Sequence, residues 1–131
     1  MPAAILVLSN TPALREILID LLTDTGYPTE AVTYTAQPLD RIQASPPRLL
    51  ILDTVLPNEA ISRALIREIR TMPGGGALPI ILITTVQHSP PEIAAAQRQQ
   101  IYILRKPFGI DPLLALVQRL WAAPPDADTS P

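Results

Sequence analysis

Short apolar runs recur five times along the chain, and the segments between them carry apolar residues at helical spacing. Three runs, residues 4–8, 49–52 and 80–83, are apolar throughout, which is typical of strands buried on both faces of a parallel sheet. Residues 28–34 alternate loosely between apolar and polar, and residues 101–104 form a fifth short run. The pattern therefore predicts five strands.

A segment with helical character follows each predicted strand. Pro12 suits the first position of a helix with Thr11 or Asn10 as its N-cap, and Gly26 ends that helix. The other predicted helices cover residues 37–44, 58–70, 90–99 and 111–121. Strands and helices thus alternate five times. This alternation predicts a parallel sheet with helices on both faces, in which ligands gather at the carboxyl ends of the strands.

The predicted helix 58–70 has an apolar face and an opposite basic face. The apolar positions are Ile61, Leu65 and Ile69, and the basic positions are Arg63, Arg67 and Arg70. We interpret the basic face as solvated, because Glu68 lies among the arginines. The segment PGGG, residues 73–76, cannot continue the helix and is interpreted as a flexible loop.

Length and composition indicate one domain. The chain has 131 residues, of which 47% are hydrophobic, and it contains no cysteine that could form a disulfide, a thiolate zinc site or a nucleophile. Residues 1–122 are expected to form the domain. The Pro-rich segment 123–131 is expected to be a disordered tail, either a free end or the start of a linker.

Charge and hydropathy argue against several classes of protein. A formal net charge of -2 does not suit a surface that must neutralise many phosphates, so no direct contact with nucleic acid is expected. No apolar run approaches the roughly 20 residues of a membrane-spanning helix, and no Lys or Arg precedes the first run as in a secretory signal. We expect a cytoplasmic protein without a membrane segment.

Four segments in a fixed order resemble the receiver domain of two-component response regulators. They are AILVLSNTPALREIL at the start, LLILDTVLP in the middle, PIILITT later and LRKPF near the end. In combination they place Asp53 after the third strand, Thr84 after the fourth and Lys106 after the fifth. The resemblance implies a flavodoxin-like, doubly wound (βα)5 fold of the α/β class. That fold is a three-layer sandwich whose five-stranded parallel sheet has the order 2-1-3-4-5.

The resemblance also implies roles for these three residues. Asp53 matches the aspartate that takes a phosphoryl group from a histidine kinase, Thr84 the hydroxyl residue that senses it, and Lys106 the lysine that precedes a usually cis proline, here Pro107. A carboxylate can attack phosphorus, an ammonium can pair with phosphate oxygens, and a hydroxyl can donate to the new group. A simpler interpretation is that Asp53 and Lys106 form an ion pair that only holds the loops, with Thr84 hydrogen-bonded to a loop end.

The two neighbouring acids that help to hold Mg²⁺ in the family are replaced here by Ser9 and Asn10. By resemblance, the remaining ligands are the Asn10 side-chain carbonyl, the Asp53 carboxylate and the Val55 backbone carbonyl. Asp53 and Lys106 balance to zero charge, so the surplus of negative charge that favours a hard divalent cation is missing. We therefore expect a degenerate receiver that binds Mg²⁺ weakly, and slow transfer of a phosphoryl group.

Further positions also depart from the family. Ile103 stands at the aromatic switch position, and the neighbouring Tyr102 replaces it only if the strand register differs, because adjacent strand side chains face opposite ways. Glu59 is near enough to Asp53 in sequence to act as a substitute carboxylate. His88 has no second His or Cys at ligand spacing, so metal binding by it is not expected.

These observations favour an atypical receiver-like signalling module that acts by protein–protein interaction, with weak or absent phosphorylation. Its expected partners are a histidine kinase, another signalling protein or a second copy of the chain. In the family the fourth and fifth helices and the strand between them often form a dimer surface, here with Ile93, Tyr102 and Trp121. The alternative is a functional phosphoacceptor that catalyses its own phosphorylation on Asp53. An unrelated nucleotide or flavin binder is disfavoured, since no Gly-rich loop follows the first strand.

Overall fold

The computed structural model describes residues 4–34, 37–54 and 59–122, and the predicted tail 123–131 lies outside these ranges. The strands are β1 (Ile5–Leu8), β2 (Thr29–Val32), β3 (Leu49–Asp53), β4 (Ile80–Thr84) and β5 (Ile101–Arg105). The helices are α1 (Pro12–Thr25), α2 (Pro38–Ala44), α3 (Ala60–Thr71), α4 (Pro90–Arg98) and α5 (Ile110–Ala122). All five predicted strands and all five predicted helices are therefore present.

The strands form one parallel sheet in the order β2-β1-β3-β4-β5. The strand order reverses between β1 and β3, and at such a point the loops at the carboxyl ends of neighbouring strands separate and leave a crevice. The predicted fold class and strand order are confirmed. The carboxyl ends of β1, β3, β4 and β5 consequently lie along the same edge of the sheet.

The core has two layers, one on each face of the sheet, because successive strand side chains point to opposite faces. Ile5 and Val7 pack on one face with buried residues of α1 and α5, whereas Leu6 and Leu8 pack on the other with α2 and α3. Every residue of β1, β3 and β4 is buried. These three strands are continuously apolar in the sequence because both of their faces are buried.

The buried face of α3 differs from the predicted one. Ile61 is 54% exposed, while Ser62 and Ile66 are buried beside the expected Leu65 and Ile69. The buried positions Ser62, Leu65, Ile66 and Ile69 form one face of α3, and Ile61 lies at its edge. The predicted apolar face therefore includes one residue, Ile61, that is exposed.

Arg70 does not belong to a solvated basic face either. It lies one turn after the buried Ile66, and its guanidinium donates to the carbonyls of Gly75 (2.6 Å), Leu78 (2.8 Å) and Gln99 (2.7 Å). Burial lowers the pKa of Arg70. The long side chain at the end of the helix thus ties α3 to two neighbouring loops, whereas Arg67 remains exposed.

One residue of the segment 73–76, Gly75, is packed into the fold, whereas its neighbours are exposed. Gly75–Ala77 forms a 3-10 turn, and Gly75 is buried against the end of α3. A Cβ atom on Gly75 would lie 1.8 Å from the carbonyl oxygen of Ile69, so only glycine permits this approach. None of the helices in the described ranges is long and apolar enough to cross a membrane.

Candidate functional site

Three polar residues from separate strands meet at the carboxyl edge of the sheet. Asp53 is the last residue of β3, Thr84 is the last residue of β4, and Lys106 follows β5 directly. The backbone N–H of Lys106 donates to the carbonyl of Thr84 at 2.7 Å, and the Lys106–Pro107 peptide bond is cis, as the resemblance implies. The sheet register therefore brings together residues that are 53 positions apart in sequence.

Both oxygens of the Asp53 carboxylate have a close partner. The carboxylate is only 3% exposed, its Oδ1 lies 2.6 Å from the Lys106 ammonium nitrogen, and its Oδ2 accepts the Ser9 hydroxyl at 2.8 Å. Ser9 is itself fully buried, and its Oγ accepts the backbone N–H of Thr11. A buried charge is stable only when it is paired and hydrogen-bonded, and this arrangement satisfies both conditions.

The residue after Ser9 is engaged elsewhere. The Oδ1 atom of Asn10 accepts the backbone N–H of Tyr34 at 2.9 Å, so this side chain ties the end of β1 to the segment after β2. The carbonyl of Ser9 accepts a hydrogen bond from the Arg15 guanidinium at 2.7 Å. A second cation, from α1, therefore stands at the end of β1.

Tyr34 lies against the same site. Its hydroxyl donates to the backbone carbonyl of Asp53 at 2.7 Å and lies 2.9 Å from the hydroxyl of Ser62 on α3. Burial, with a smaller contribution from the Asp53 charge, raises the pKa of Tyr34 to about 12, against a lowering effect of the Ser62 hydrogen bond. Tyr34 therefore stays neutral and acts as a donor near neutral pH.

Tyr34 provides an alkaline test of this contact. Because its pKa is raised in the folded chain, its contribution to stability is complete below pH 10 and is lost as the pH rises towards 12. We expect the tyrosinate absorbance of the folded protein to include a step near pH 12 that is absent from Tyr34→Phe. The Tyr27→Phe variant is the control and should keep that step. An unchanged titration of Tyr34→Phe would contradict the assignment.

A second polar cluster adjoins Thr84. Glu59, immediately before α3, is 5% exposed, and its Oε1 lies 3.0 Å from the His88 Nε2 atom and 2.9 Å from the Arg63 guanidinium. Burial raises the pKa of Glu59, but hydrogen bonds from Thr84, Arg63 and His88 together hold it below its usual value. The carboxylate is therefore ionised at neutral pH. Within the described ranges, no group of three or more His, Cys, Asp or Glu residues is arranged to hold a metal ion.

The remaining candidates from the sequence lie on and around β5, apart from Val55. Ile103 and Ile101 pack on the face of the sheet that α2 and α3 cover, and Tyr102 packs on the opposite face. Val55 lies outside the described residues. Ile93 is half-buried on α4, and Arg119 of α5 lies over the Tyr102 ring at 5.4 Å. Trp121 is not in this group.

Trp121 instead packs edge-to-face against Tyr27, with ring centroids 5.3 Å apart, and Arg48 lies over its ring at 4.7 Å. Tyr27 lies between α1 and β2, and Arg48 directly precedes the central strand β3, whereas Tyr102 belongs to the edge strand β5. The ring lies on the side of α5 that faces these partners. Trp121 therefore has a packing role in the fold.

Sequence reasoning missed two members of the site, Arg15 and Tyr34, and the roles of two others. Arg15 and Tyr34 carry no signal in the pattern, because a hydrogen bond from a side chain to a backbone carbonyl leaves no periodicity. Glu59 was a candidate only by its nearness to Asp53, and His88 was considered only as a metal ligand. The 29-residue separation of Glu59 from His88 hides their pairing.

Comparison with known proteins identifies the class. The model of the response regulator receiver domain matches residues 5–118. Protein Rrf1 of Nitratidesulfovibrio vulgaris is 33% identical over 122 residues, which are 93% of this chain and 85% of the relative. Response regulator MprA of Mycolicibacterium vanbaalenii is 30% identical over 120 residues, and this chain, 92% of which is aligned, spans about half (51%) of its length.

A solved structure supports the same class. The receiver domain of NtrX from Brucella abortus superposes with a TM-score of 0.73 and 28% identity, covering 92% of this chain and 99% of that one. The fold is that of a two-component signalling domain. This chain belongs to the response regulator receiver domain family. Receiver domains typically bind Mg²⁺ in an acidic pocket and interact with histidine kinases and other signalling proteins.

Proposed function

We propose that this chain is an atypical receiver that works in a cytoplasmic two-component pathway by protein–protein interaction, with weak or absent Mg²⁺-dependent phosphorylation. One observation carries the proposal. The Asp53 carboxylate is held by the Ser9 hydroxyl at 2.8 Å and the Lys106 ammonium at 2.6 Å, where the family has acids beside the aspartate. The partners of the Asp53 carboxylate thus come from the chain itself.

The oxygen atoms at the site are poorly suited to bind Mg²⁺. Mg²⁺ prefers several anionic or carbonyl oxygens in octahedral geometry. Here Asn10 Oδ1 accepts the N–H of Tyr34, and both Asp53 oxygens are engaged by Ser9 and Lys106. The backbone carbonyl of Val55 remains the third proposed ligand. We therefore propose that the affinity for Mg²⁺ is low.

Charge supports the same conclusion. Asp53 contributes one negative charge, and Lys106 and Arg15 contribute two positive charges at or beside the strand ends, so their sum is +1. A divalent cation would enter against this excess, and in a partly buried site repulsion between like charges is larger than in water. A family member with its acids in place has the opposite balance.

Slow phosphorylation follows from this arrangement. If an Asp53 oxygen attacks a phosphorus atom, the leaving oxygen departs with the bonding electrons, and negative charge builds on the phosphoryl oxygens. Lys106 is the one cation in contact with the nucleophile among the described residues. The hydrogen bond from Ser9 and the ion pair with Lys106 also withdraw electron density from the carboxylate, which lowers its reactivity as a nucleophile.

The test is intact-mass analysis after incubation with acetyl phosphate, with and without Mg²⁺. We expect no phosphoryl adduct on the wild-type chain above the level found with Asp53→Asn. The same reaction with a receiver that keeps both acids verifies the phosphodonor. A stoichiometric, Mg²⁺-dependent adduct that Asp53→Asn abolishes would contradict the proposal.

That contradictory outcome would establish the second candidate function, a working phosphoacceptor. The meeting of Asp53, Lys106 and Thr84 at one edge of the sheet favours it, since these are the residue types that transfer requires. Such a protein would at most catalyse transfer to itself, from a histidine kinase or a small donor. Asn10 and Glu59 would then be the residues to substitute next.

We further propose that the partner surface lies around β5, between α4 and α5. Tyr102 of β5 is partly exposed, and the Arg119 guanidinium of α5 lies over its ring. Ile93 belongs to α4, the helix that precedes β5, and is half-buried. Aromatic and arginine side chains are enriched at protein interfaces. We propose a second copy of the chain or another signalling protein as the partner at this surface. The net charge of -2 does not favour binding of nucleic acid.

A further inference from the structure

A groove lies between α2 and α3 on the surface of the domain. Its volume is about 470 Å³, and sites that enclose a ligand have volumes of roughly 300–1,000 Å³. Pro38 and Leu65 are buried at its floor, and Leu39 and Ala64 are half-buried in its walls. Ile61 also lines the groove and is 54% exposed. The groove is therefore mainly apolar and open to solvent.

Ile61 differs in its surroundings from the other exposed isoleucines of the described residues. Ile17 of α1 and Ile110 of α5 are each 59% exposed, and neither of them lines this groove. A single exposed apolar side chain is normal on a protein surface, whereas Ile61 extends an apolar area that the groove already provides. Covering this area with apolar groups of a partner is favourable, because it removes apolar surface from water.

The charged residues of the groove are acidic. Asp40 of α2 and Glu68 of α3 line it and are exposed to solvent. No Lys, Arg or His is among the described residues that line it. Exposed acids beside an apolar groove attract basic groups and repel other acids. A partner that carries Lys or Arg next to apolar side chains therefore complements the groove.

The walls of the groove favour a helical partner. Both walls are helices, whose backbone N–H and C=O groups bond within the helix, so the groove offers no open strand edge. An extended segment would leave its own backbone groups without partners there. An amphipathic helix satisfies its backbone internally and presents apolar side chains every third or fourth residue to such a groove.

A second copy of this chain does not supply the required chemistry. Its other exposed isoleucines stand next to exposed acids, since Ile17 follows Glu16 and Ile110 precedes Asp111. Insertion of either isoleucine would bring these acids against those of the groove. Repulsion between like charges disfavours that arrangement, so the partner must be another protein.

We propose that the groove between α2 and α3 binds an amphipathic helix of another protein, with Lys or Arg side chains placed against Asp40 and Glu68. This surface is additional to the one around β5, and the inference does not depend on whether Asp53 is phosphorylated. Tyr34 also lines the groove, and its hydroxyl donates to the backbone carbonyl of Asp53. A bound helix would therefore touch a side chain that contacts the end of β3.

The experiment is fluorescence anisotropy of two labelled peptides titrated with the full chain. One peptide consists of leucine and lysine, with leucine at helical spacing, and the other has glutamate at every lysine position. We expect wild type to bind the lysine peptide about tenfold more tightly than the glutamate peptide. Ile61→Gln removes the apolar contact without changing the charge, and it should raise the Kd for the lysine peptide roughly tenfold.

Variants on α1 are the matched controls. Ile17→Gln replaces an equally exposed isoleucine and should keep the wild-type Kd for the lysine peptide. Glu68→Gln should raise that Kd about threefold at low salt, whereas Glu16→Gln should not change it. The proposal would be overturned by equal effects of Ile61→Gln and Ile17→Gln, by equal binding of the two peptides, or by no binding of the lysine peptide.

Amide chemical shifts of the chain locate the bound lysine peptide. Shift changes concentrated on α2 and α3 would support the inference. Changes concentrated on α4, β5 and α5 would overturn it and would point to the surface proposed around β5. Phosphorylation of Asp53 is measured separately by intact mass, so a failure of the proposed function is distinguishable from a failure of this inference.

Discussion

Replacing Ser9 and Asn10 together by aspartate is expected to create a Mg²⁺-binding site. The double change places two carboxylates beside Asp53 and turns a local charge of +1, with Arg15 and Lys106 included, into -1. Three clustered carboxylates repel one another, so the variant should be less stable than wild type without metal. Mg²⁺ relieves that repulsion and should restore stability.

The measurement is thermal unfolding as a function of Mg²⁺ concentration. At a Mg²⁺ concentration of roughly 100 times the Kd, binding stabilises a folded protein by about 2.7 kcal/mol, whereas wild type should show almost no shift. Acetyl phosphate should then label Asp53 in the double variant. Ser9→Asn is the matched control, because it gives two neutral amides with nearly the same shape as the two aspartates. If Mg²⁺ does not change the thermal stability of the double variant, then charge is not what limits Mg²⁺ binding at the wild-type site.

Arg70→Met is expected to lower the free energy of unfolding by about 3 kcal/mol. Hydrogen bonds from a charged group contribute roughly 1.5–3 kcal/mol each. Arg70 donates to four backbone carbonyls on two loops, one of them at the long distance of 3.5 Å. Water can take over part of this bonding, which keeps the loss well below the sum. Methionine preserves most of the apolar stem and so isolates the contribution of the guanidinium.

Urea denaturation at neutral pH measures the loss, and Arg67→Met provides the control. Arg67 is exposed on the same helix, so its replacement should change the unfolding free energy by no more than about 0.5 kcal/mol. Equal effects of the two substitutions would mean that Arg70 acts through the general charge of α3. A selective loss at Arg70 would identify the link between α3, the glycine turn and the loop before β5 as a structural requirement.

Much of the architecture follows from local pattern. Continuous apolar runs predicted β1, β3 and β4, because a strand covered on both faces has no polar side. Helical spacing and Pro at the first turn located the helices to within about two residues. The helix α3 was predicted least accurately, because it begins two residues later than expected and its apolar residue Ile61 is exposed.

The candidate site was predictable where it depends on strand ends. Asp53, Thr84 and Lys106 follow apolar runs directly, and parallel strands must deliver such residues to one edge of the sheet. The sequence also shows that Ser9 and Asn10, which are not acids, follow β1. What these residues do instead was not visible. Ser9 donates a hydrogen bond to Asp53, and Asn10 accepts one from the backbone of Tyr34. Both partners are far away in sequence and are brought close only by the fold.

The sequence by itself determined the layer structure, the strand order implied by its family resemblance, and the identity of the two residues that follow β1, Ser9 and Asn10. These depend on local periodicity and on residue identity, which a linear pattern records. Only the tertiary structure decided that Tyr34 lies on the Asp53 carbonyl, that Arg15 reaches the end of β1, and that Glu59 pairs with His88. Each of these contacts joins residues through the packing of separate elements. Their distance and direction are set by the fold, because side chains far apart in sequence share no local spacing.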